Sequence, residues 1–292
     1  PTCPRCSVYL TYHSANGRLM CHHCGHSERL PDACPHCGGA FHFIGVGTQK
    51  VEEERRELFP HTEILRMDTD TVSATNTHEK LLSRFEERNV PILVGTQMVA
   101  KGLDFEKVTL VGVLGIDSML FGQGFRAYES VFSLITQVVG RGGRAALPGR
   151  AVIQTAVPEH PVLGMAARQD YPAFYAEEIS FRKLCLYPPF CAFCVVGFTG
   201  AQEGAVFTAA HRFGQILADL ARRHTEIPLR VLGPAPMHIT MLSGKYRYKL
   251  TLKCRNDAPF RALMRAALDA YAEEKLPAKA TLALDFNSDG DM

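Results

Sequence analysis

Three Cys-x-x-Cys pairs fall within the first 37 residues: CPRC at Cys3 and Cys6, CHHC at Cys21 and Cys24, and CPHC at Cys34 and Cys37. No other feature of the chain narrows its fold so far. Each pair lets two thiolates from one tight turn reach a single ion, and the glycine after Cys24 and after Cys37 suits a backbone that folds back beneath the sulfurs. Two such turns complete a tetrahedral four-cysteine zinc site, so three pairs give one closed site and one half-site. The half-site is completed by His22, His23, His36 or His42, or by a fourth pair ahead of Pro1. Because the chain opens on Pro1, two residues before a cysteine motif, the missing pair is the expected solution, and the chain reads as part of a longer one. A module this small has little hydrophobic centre, so bound zinc supplies its folding energy. A further pair, Cys191 and Cys194, sits in the apolar run FCAFCVVGF, where residues three apart on a strand face opposite ways; it reads as core.

No charged-then-apolar leader opens the chain, which favours metal over disulfides and a reducing cytoplasm. The longest apolar runs fall short of eighteen residues, so no membrane span is expected. At 292 residues the chain is long for one core, and two or three domains are expected. The net charge is only +2, split as −1 over residues 1–159 and +3 over residues 160–292. Any nucleic-acid surface is therefore a local patch.

From Gly45 onward the periodicity changes. QKVEEERRELF predicts a helix after a Thr48 N-cap, TEILRM a strand, and HEKLLSRFEER a helix after Thr77, with Leu81, Leu82 and Phe85 along one face. VPILVGT and VTLVGVL are short, β-branched apolar runs, as expected of strands buried on both faces of a parallel sheet. A helix with Val131, Leu134, Ile135 and Val138 on one stripe follows, then the strand AVIQTA. This βα alternation predicts an open α/β sheet. Ligands gather in such sheets where strands end, which singles out GTQMVAKGLDF (95–105) and the run QVVGRGGRAALPGR (137–150). Each also has a plain reading, as a turn opening a helix and as a solvated helix end.

Beyond Pro158 the pattern restarts as strand 192–199, helix 203–223, strand 229–232, strand 246–254, helix 259–274 and strand 280–286, a split βαβ order. YRYKLTLKC alternates, with Tyr246, Tyr248, Leu250, Leu252 and Cys254 on one face and Arg247, Lys249, Thr251 and Lys253 on the other. The second face is either a solvated surface or, with Lys245 at its start, a basic strip for a nucleic-acid backbone. FRKLCLYPPF is stiff at Pro188 and Pro189 and is expected to pin the connector against the preceding α/β lobe, with a pocket for a partner's tail as the other reading.

ILVGTQMVAKGLDFEKVTLV followed by QVVGRGGR resembles motifs V and VI of the second RecA-like lobe of a superfamily 2 helicase. With the three cysteine pairs upstream, and with GVGTQKVEEE, LYPPF and VLGPAPM, nearly the whole chain is similar to the primosomal replication-restart DNA helicases. The resemblance implies an α/β fold: a RecA-like second lobe over 45–158, a Cys-rich zinc-binding insertion over 1–44, and a connector with a C-terminal α+β domain over 159–292. It implies an ATP-dependent 3′ to 5′ DNA helicase, monomeric and in the bacterial cytoplasm near the nucleoid. Its implied partners are forked and single-stranded DNA, the tail of single-strand DNA-binding protein, and primosome or helicase-loading proteins.

Residue by residue, Gln137, Arg141 and Arg144 match motif VI, with Arg144 as the arginine finger. Gly102 and Asp104 match the motif V elements that couple nucleotide to DNA grip. Thr48, Thr96, Gln97 and Lys101 stand where strand-backbone contacts are expected, and Lys245, Arg247 and Lys249 on the C-terminal strip. Cys3, Cys6, Cys21, Cys24, Cys34 and Cys37 are the metal ligands, with one complete zinc site here and two zinc ions in the longer protein. Two departures stand out: Gly142 lies between the motif VI arginines where alanine is usual, and Gly115 replaces an acid while Asp117 remains. No Gly-x-x-x-x-Gly-Lys-Ser/Thr occurs, so ATP and Mg2+ are expected only with a first lobe outside this sequence, and this chain alone is not expected to hydrolyse ATP. The reading from another class is a zinc-ribbon module that binds DNA or scaffolds without ATP.

Overall fold

The computed structural model describes residues 1–13, 16–35, 37–41, 47–68, 75–100, 107–122, 124–140, 149–274 and 280–286. Two compact units emerge. One comprises Pro1–Phe43, Gln123–Phe125 and Ile179–Met292; the other comprises Ile44–Gly122 and Arg126–Glu178. Among the described residues no helix is long and apolar enough to cross a membrane.

The cysteine module opens the first unit. Strands β1 (Thr11–His13), β2 (Arg18–Met20) and β3 (Ser27–Arg29) form a three-stranded antiparallel sheet. Its buried centre consists of Leu10 and Leu19 with Cys3, Cys6 and Cys21.

The second unit carries the βα alternation. Helix α1 (Thr48–Leu58) begins at Thr48 itself, with Gly47 at the N-cap and no side-chain cap. The expected Thr48 cap is thus displaced by one residue; its hydroxyl instead donates to Asp68 Oδ2 at 2.5 Å. Strands β4 (Ile64–Met67) and β5 (Ile92–Gly95) pair in parallel and flank α2 (Thr75–Glu87). After the four-residue α3 (Gln97–Ala100), strands β6 (Leu110–Val113) and β7 (Arg150–Ile153) form a second parallel pair around α4 (Asp117–Leu120) and α5 (Ala127–Val139). Two parallel pairs, rather than one continuous sheet, are therefore seen among the described residues. The expectation of strands buried on both faces holds least well for the second pair. Val113 and Ile153 pack against the α5 residues Val131, Phe132 and Ile135, whereas Leu110 and Val152 on the opposite face are 60% and 50% exposed. A strand is buried twice only where both faces are covered.

Helix α6 (Pro161–Ala167) and the start of α7 (Tyr171–Cys185) complete this unit's core. Val162, Leu163, Met165 and Phe174 join Ile116, Leu120 and Ile135, and the rings of Phe132 and Phe174 stack 4.3 Å apart. The connector expected to belong with the C-terminal domain from residue 159 therefore packs with the α/β lobe as far as Glu178, because its apolar stripe is spent on α5.

The C-terminal domain follows the expected βαββαβ order: β8 (Ala192–Gly200), α8 (Glu203–Ala221), β9 (Leu229–Leu242), β10 (Lys245–Cys254), α9 (Ala258–Ala272) and β11 (Thr281–Phe286). The antiparallel sheet runs β11-β8-β10-β9. Both helices cover one face around Phe198, Phe213, Phe260, Leu250 and Leu252, and Cys194 and Cys254 lie in that core as ordinary apolar residues. Helix α9 is capped by Asp257, which accepts from the Phe260 N–H. Strand β9 is much longer than the 229–232 expected; register shifts against β10 let it continue through the Gly-Pro-Ala-Pro stretch.

The outer face of β10 is less solvated than its alternation implied. Lys253 Nζ donates to the Cys185 carbonyl at 2.5 Å and stands 4.5 Å from the Tyr187 ring centroid, and Phe125, Tyr187 and Phe193 meet beside it. The LYPPF segment thus packs on this sheet face.

Candidate metal centre and phosphate-facing motifs

The sulfurs of Cys3, Cys6, Cys21 and Cys24 all lie within 4.8 Å of one another, and those of Cys3 and Cys24 are 3.6 Å apart. Tetrahedral zinc with Zn–S bonds of about 2.3 Å needs sulfurs about 3.8 Å apart, so the cluster fits that ion. Local turns bring each pair together: the Cys6 N–H donates to the Cys3 carbonyl at 3.2 Å and the Gly25 N–H to the Cys21 carbonyl at 2.9 Å. Gly25 and Gly38 adopt φ of 70° and 68°, the fold-back expected after Cys24 and after Cys37. Burial pushes the Cys6 thiol up to about 12. Burial also opposes ionisation of Cys21, but the backbone N–H groups of Cys24 and His23 and the neighbouring thiols outweigh it, and Cys21 falls to about 7. Four soft sulfur donors converging in a buried pocket suit a divalent cation that neutralises the thiolates they become.

Among the described residues this is the only group of three or more such ligands. Cys34 and Cys37 form a turn of the same kind, with Gly38 N–H donating to the Cys34 carbonyl at 2.8 Å, but Cys37 is exposed and neither joins the cluster. Of the histidines considered for the half-site, His22 lies against His13, with Nε2 atoms 3.3 Å apart, His23 is exposed, and His36 and His42 lie outside the described residues.

The motif V and VI positions are only partly described. Thr96 and Gln97 are exposed just beyond the C-terminal end of β5, where an open α/β sheet places its ligands, and Gln97 Nε2 donates to Met119 Sδ at 3.0 Å. Helix α3 packs against α5, which carries Gln137 on its exposed side with Nε2 donating to Ser133 Oγ at 3.2 Å. The buried residues Val131, Ile135 and Val138 hold that helix face inward. Lys101, Gly102, Asp104, Arg141, Gly142 and Arg144 lie outside the described residues. On the C-terminal strip, Lys245 is exposed and Arg247 and Lys249 are half-buried.

Two polar clusters gave less signal in the sequence. Asp68, 6% exposed, accepts from Thr48 and pairs with Arg66 Nε at 3.1 Å, while Arg66 also reaches Glu52. Asp117 accepts from the Thr155 hydroxyl at 2.5 Å and from the Ala156 N–H at 2.9 Å, tying α4 to the segment after β7. The Gly115 departure is explained alongside it: φ of 70° at that position is strained for most side chains. The Thr155 hydroxyl, then the Ala156 N–H, hold the Asp117 carboxyl below its ordinary value of 3.8. A depressed folded value contributes stability above the ordinary value, which is lost as pH falls through the folded one. Asp117→Ala is therefore expected to lower the urea midpoint at neutral pH, with a difference from the parent that shrinks as pH falls below about 3.8. A difference independent of pH would contradict the staple.

Three family models match in order along the chain. The PriA DNA helicase Cys-rich region (CRR) domain matches residues 3–29, which hold all four clustered cysteines. The Helicase conserved C-terminal domain matches residues 46–146, and the Primosomal protein N C-terminal domain matches residues 183–288. The chain belongs to the PriA DNA helicase family. Similar proteins include the Replication restart protein PriA of Bacillus subtilis, 38% identical over 98% of this chain, that of Chlamydia pneumoniae, 39% identical over 91%, and that of Synechocystis, 38% identical over 86%. This chain spans 35%, 35% and 30% of those proteins' lengths, about a third. Family membership agrees with the sheet-and-helix lobe, the cysteine module and the split-βαβ domain described above.

Proposed function

We propose that this chain acts as the second motor lobe, zinc module and DNA-reading domain of an ATP-dependent 3′ to 5′ DNA helicase, one that recognises stalled or forked DNA and restarts replication through primosome assembly. The observation that supports this most is the joining, in one chain, of a helicase conserved C-terminal domain with the PriA cysteine-rich and C-terminal domains. Gln137 on α5, with Arg141 and Arg144 beyond it in the sequence, serves ATP held, with Mg2+, by a lobe that carries a phosphate cradle. Gly102 and Asp104 couple that nucleotide to DNA gripped by Thr48, Thr96, Gln97 and Lys101. Lys245, with Arg247 and Lys249, lies along the backbone of the fork. Single-strand DNA-binding protein and helicase-loading proteins are the partners, in the bacterial cytoplasm.

The absence of a Gly-x-x-x-x-Gly-Lys-Ser/Thr loop favours a second reading, a non-enzymatic zinc module that binds DNA. ATP turnover on forked DNA separates them. The chain alone is expected to be inactive, and adding a Walker-bearing lobe from a PriA relative is expected to give fork-stimulated hydrolysis beyond that lobe's own rate. Hydrolysis unaffected by the chain would favour the second reading.

A further inference from the structure

We infer that the tip of the β9–β10 hairpin belongs to the metal centre: the Ser243 N–H orients and stabilises the Cys6 thiolate, so that the C-terminal domain sets how firmly the cysteine module holds zinc. This rests on the zinc assignment and is independent of the helicase reading.

The contact joins residues 237 apart in the chain, with Ser243 N 3.3 Å from Cys6 Sγ. It is one of a set. The Gly244 N–H donates to the Arg5 carbonyl at 2.7 Å, and the Ser7 N–H to the Met241 carbonyl at 3.0 Å. Ser7 Oγ accepts from the Met241 N–H at 3.0 Å and from Thr240 Oγ1 at 2.6 Å. Leu242 packs against the buried centre formed by Leu10, Leu19 and the cysteines. Three consecutive residues of the first zinc turn, Arg5 to Ser7, are thus engaged by Thr240 to Gly244.

The backbone of the tip gives the contact its significance. Ser243 and Gly244 form a two-residue turn between Leu242 and Lys245, with φ of 51° and 77°. Such a turn leaves the N–H groups of its two central residues outside the ladder. Both find partners in the zinc turn, one a carbonyl and the other a ligand sulfur. Ser243 is not a glycine, and a non-glycine residue persists in the left-handed region where its surroundings impose it. Here the imposed conformation aims an N–H at the sulfur. Donors to ligand atoms orient them and offset their charge, and losing one costs about 10- to 100-fold in metal affinity.

The full chain loaded with zinc tests this. In Gly244→Val, a β-branched residue at φ of 77° cannot keep the turn, and Ser7→Ala removes one acceptor while sparing all four ligands. Zinc release to a chromogenic chelator is expected to quicken about tenfold or more in Gly244→Val and by a smaller factor in Ser7→Ala. Amide exchange across β8 and β11 is expected to stay unchanged in both, showing that the domain is still folded. The unsubstituted chain loaded with 113Cd is expected to show a scalar coupling between the metal and the Ser243 amide proton, a signal that needs no variant. A chain that holds no metal overturns the zinc assignment and this inference together. A chain that holds metal but shows no such coupling, and releases zinc equally fast in all three forms, overturns the hairpin's role alone.

Discussion

Replacing Arg144 with alanine is expected to slow DNA-stimulated ATP hydrolysis by the complete helicase about a thousandfold or more, while zinc content and the fold of this chain stay unchanged. The size of the effect follows from chemistry. Charge spreads over the equatorial oxygens of the transferred phosphoryl group, and a planar guanidinium placed there forms paired hydrogen bonds that strengthen as the charge develops. A lysine offers one compact charge without the fork, so Arg144→Lys is expected to recover little of the rate. Gln137→Ala is expected to cost far less, because its side chain meets Ser133 on the solvent side of α5. Steady-state hydrolysis on forked DNA checks the series. Equal rates for the parent and Arg144→Ala would remove the arginine finger from the proposal.

The second large effect is expected on removing zinc. A strong chelator, or Cys21→Ser, is expected to unfold residues 3–29 while the C-terminal sheet remains intact. Fully burying a leucine stabilises by about 1.5–3 kcal/mol, and among its described residues the module buries only Leu10 and Leu19 besides its cysteines. Structural zinc contributes on the order of 10–16 kcal/mol, so the metal decides whether the module is folded. The C-terminal domain instead buries Phe198, Phe213 and Phe260 completely. Limited proteolysis is expected to cut within the module after chelation and to spare β8 to β11. Cys37→Ser is expected to leave the tightly held zinc in place, because Cys37 stands outside the cluster. A module that resists protease equally with and without metal would contradict this account.

Much of the architecture was legible because its signals are local. A CxxC turn spans four residues, and all three pairs are visible in the chain, two of them with a following glycine. The stripe Val131, Ile135, Val138 and the alternation Leu250, Leu252, Cys254 each reflect a repeat set by backbone geometry, and all six residues are buried. The ordering of helices and strands in the C-terminal domain followed in the same way. Local signals failed where a distant partner overrode them. The strand expected over 229–232 stops before Gly-Pro-Ala-Pro, yet pairing with β10 carries it through that stretch. Lys253 reads as a solvated cation, yet the Tyr187 ring and the Cys185 carbonyl cover it. Thr48 reads as a cap, yet Asp68 claims its hydroxyl.

The sequence by itself determined that cysteine pairs would form metal-ligating turns and that an α/β lobe would precede a split-βαβ domain. Each rests on residues a few positions apart, whose spacing is fixed by covalent geometry. Tertiary structure alone decided which two cysteine pairs converge, since the sequence offers three Cys-x-x-Cys pairs. It also decided that the lobe's core extends through α6, and that the tip of a hairpin 237 residues away touches a zinc ligand. Those outcomes depend on which apolar surfaces meet and which backbone N–H groups are left unpaired after the sheets form, and only the folded chain settles that.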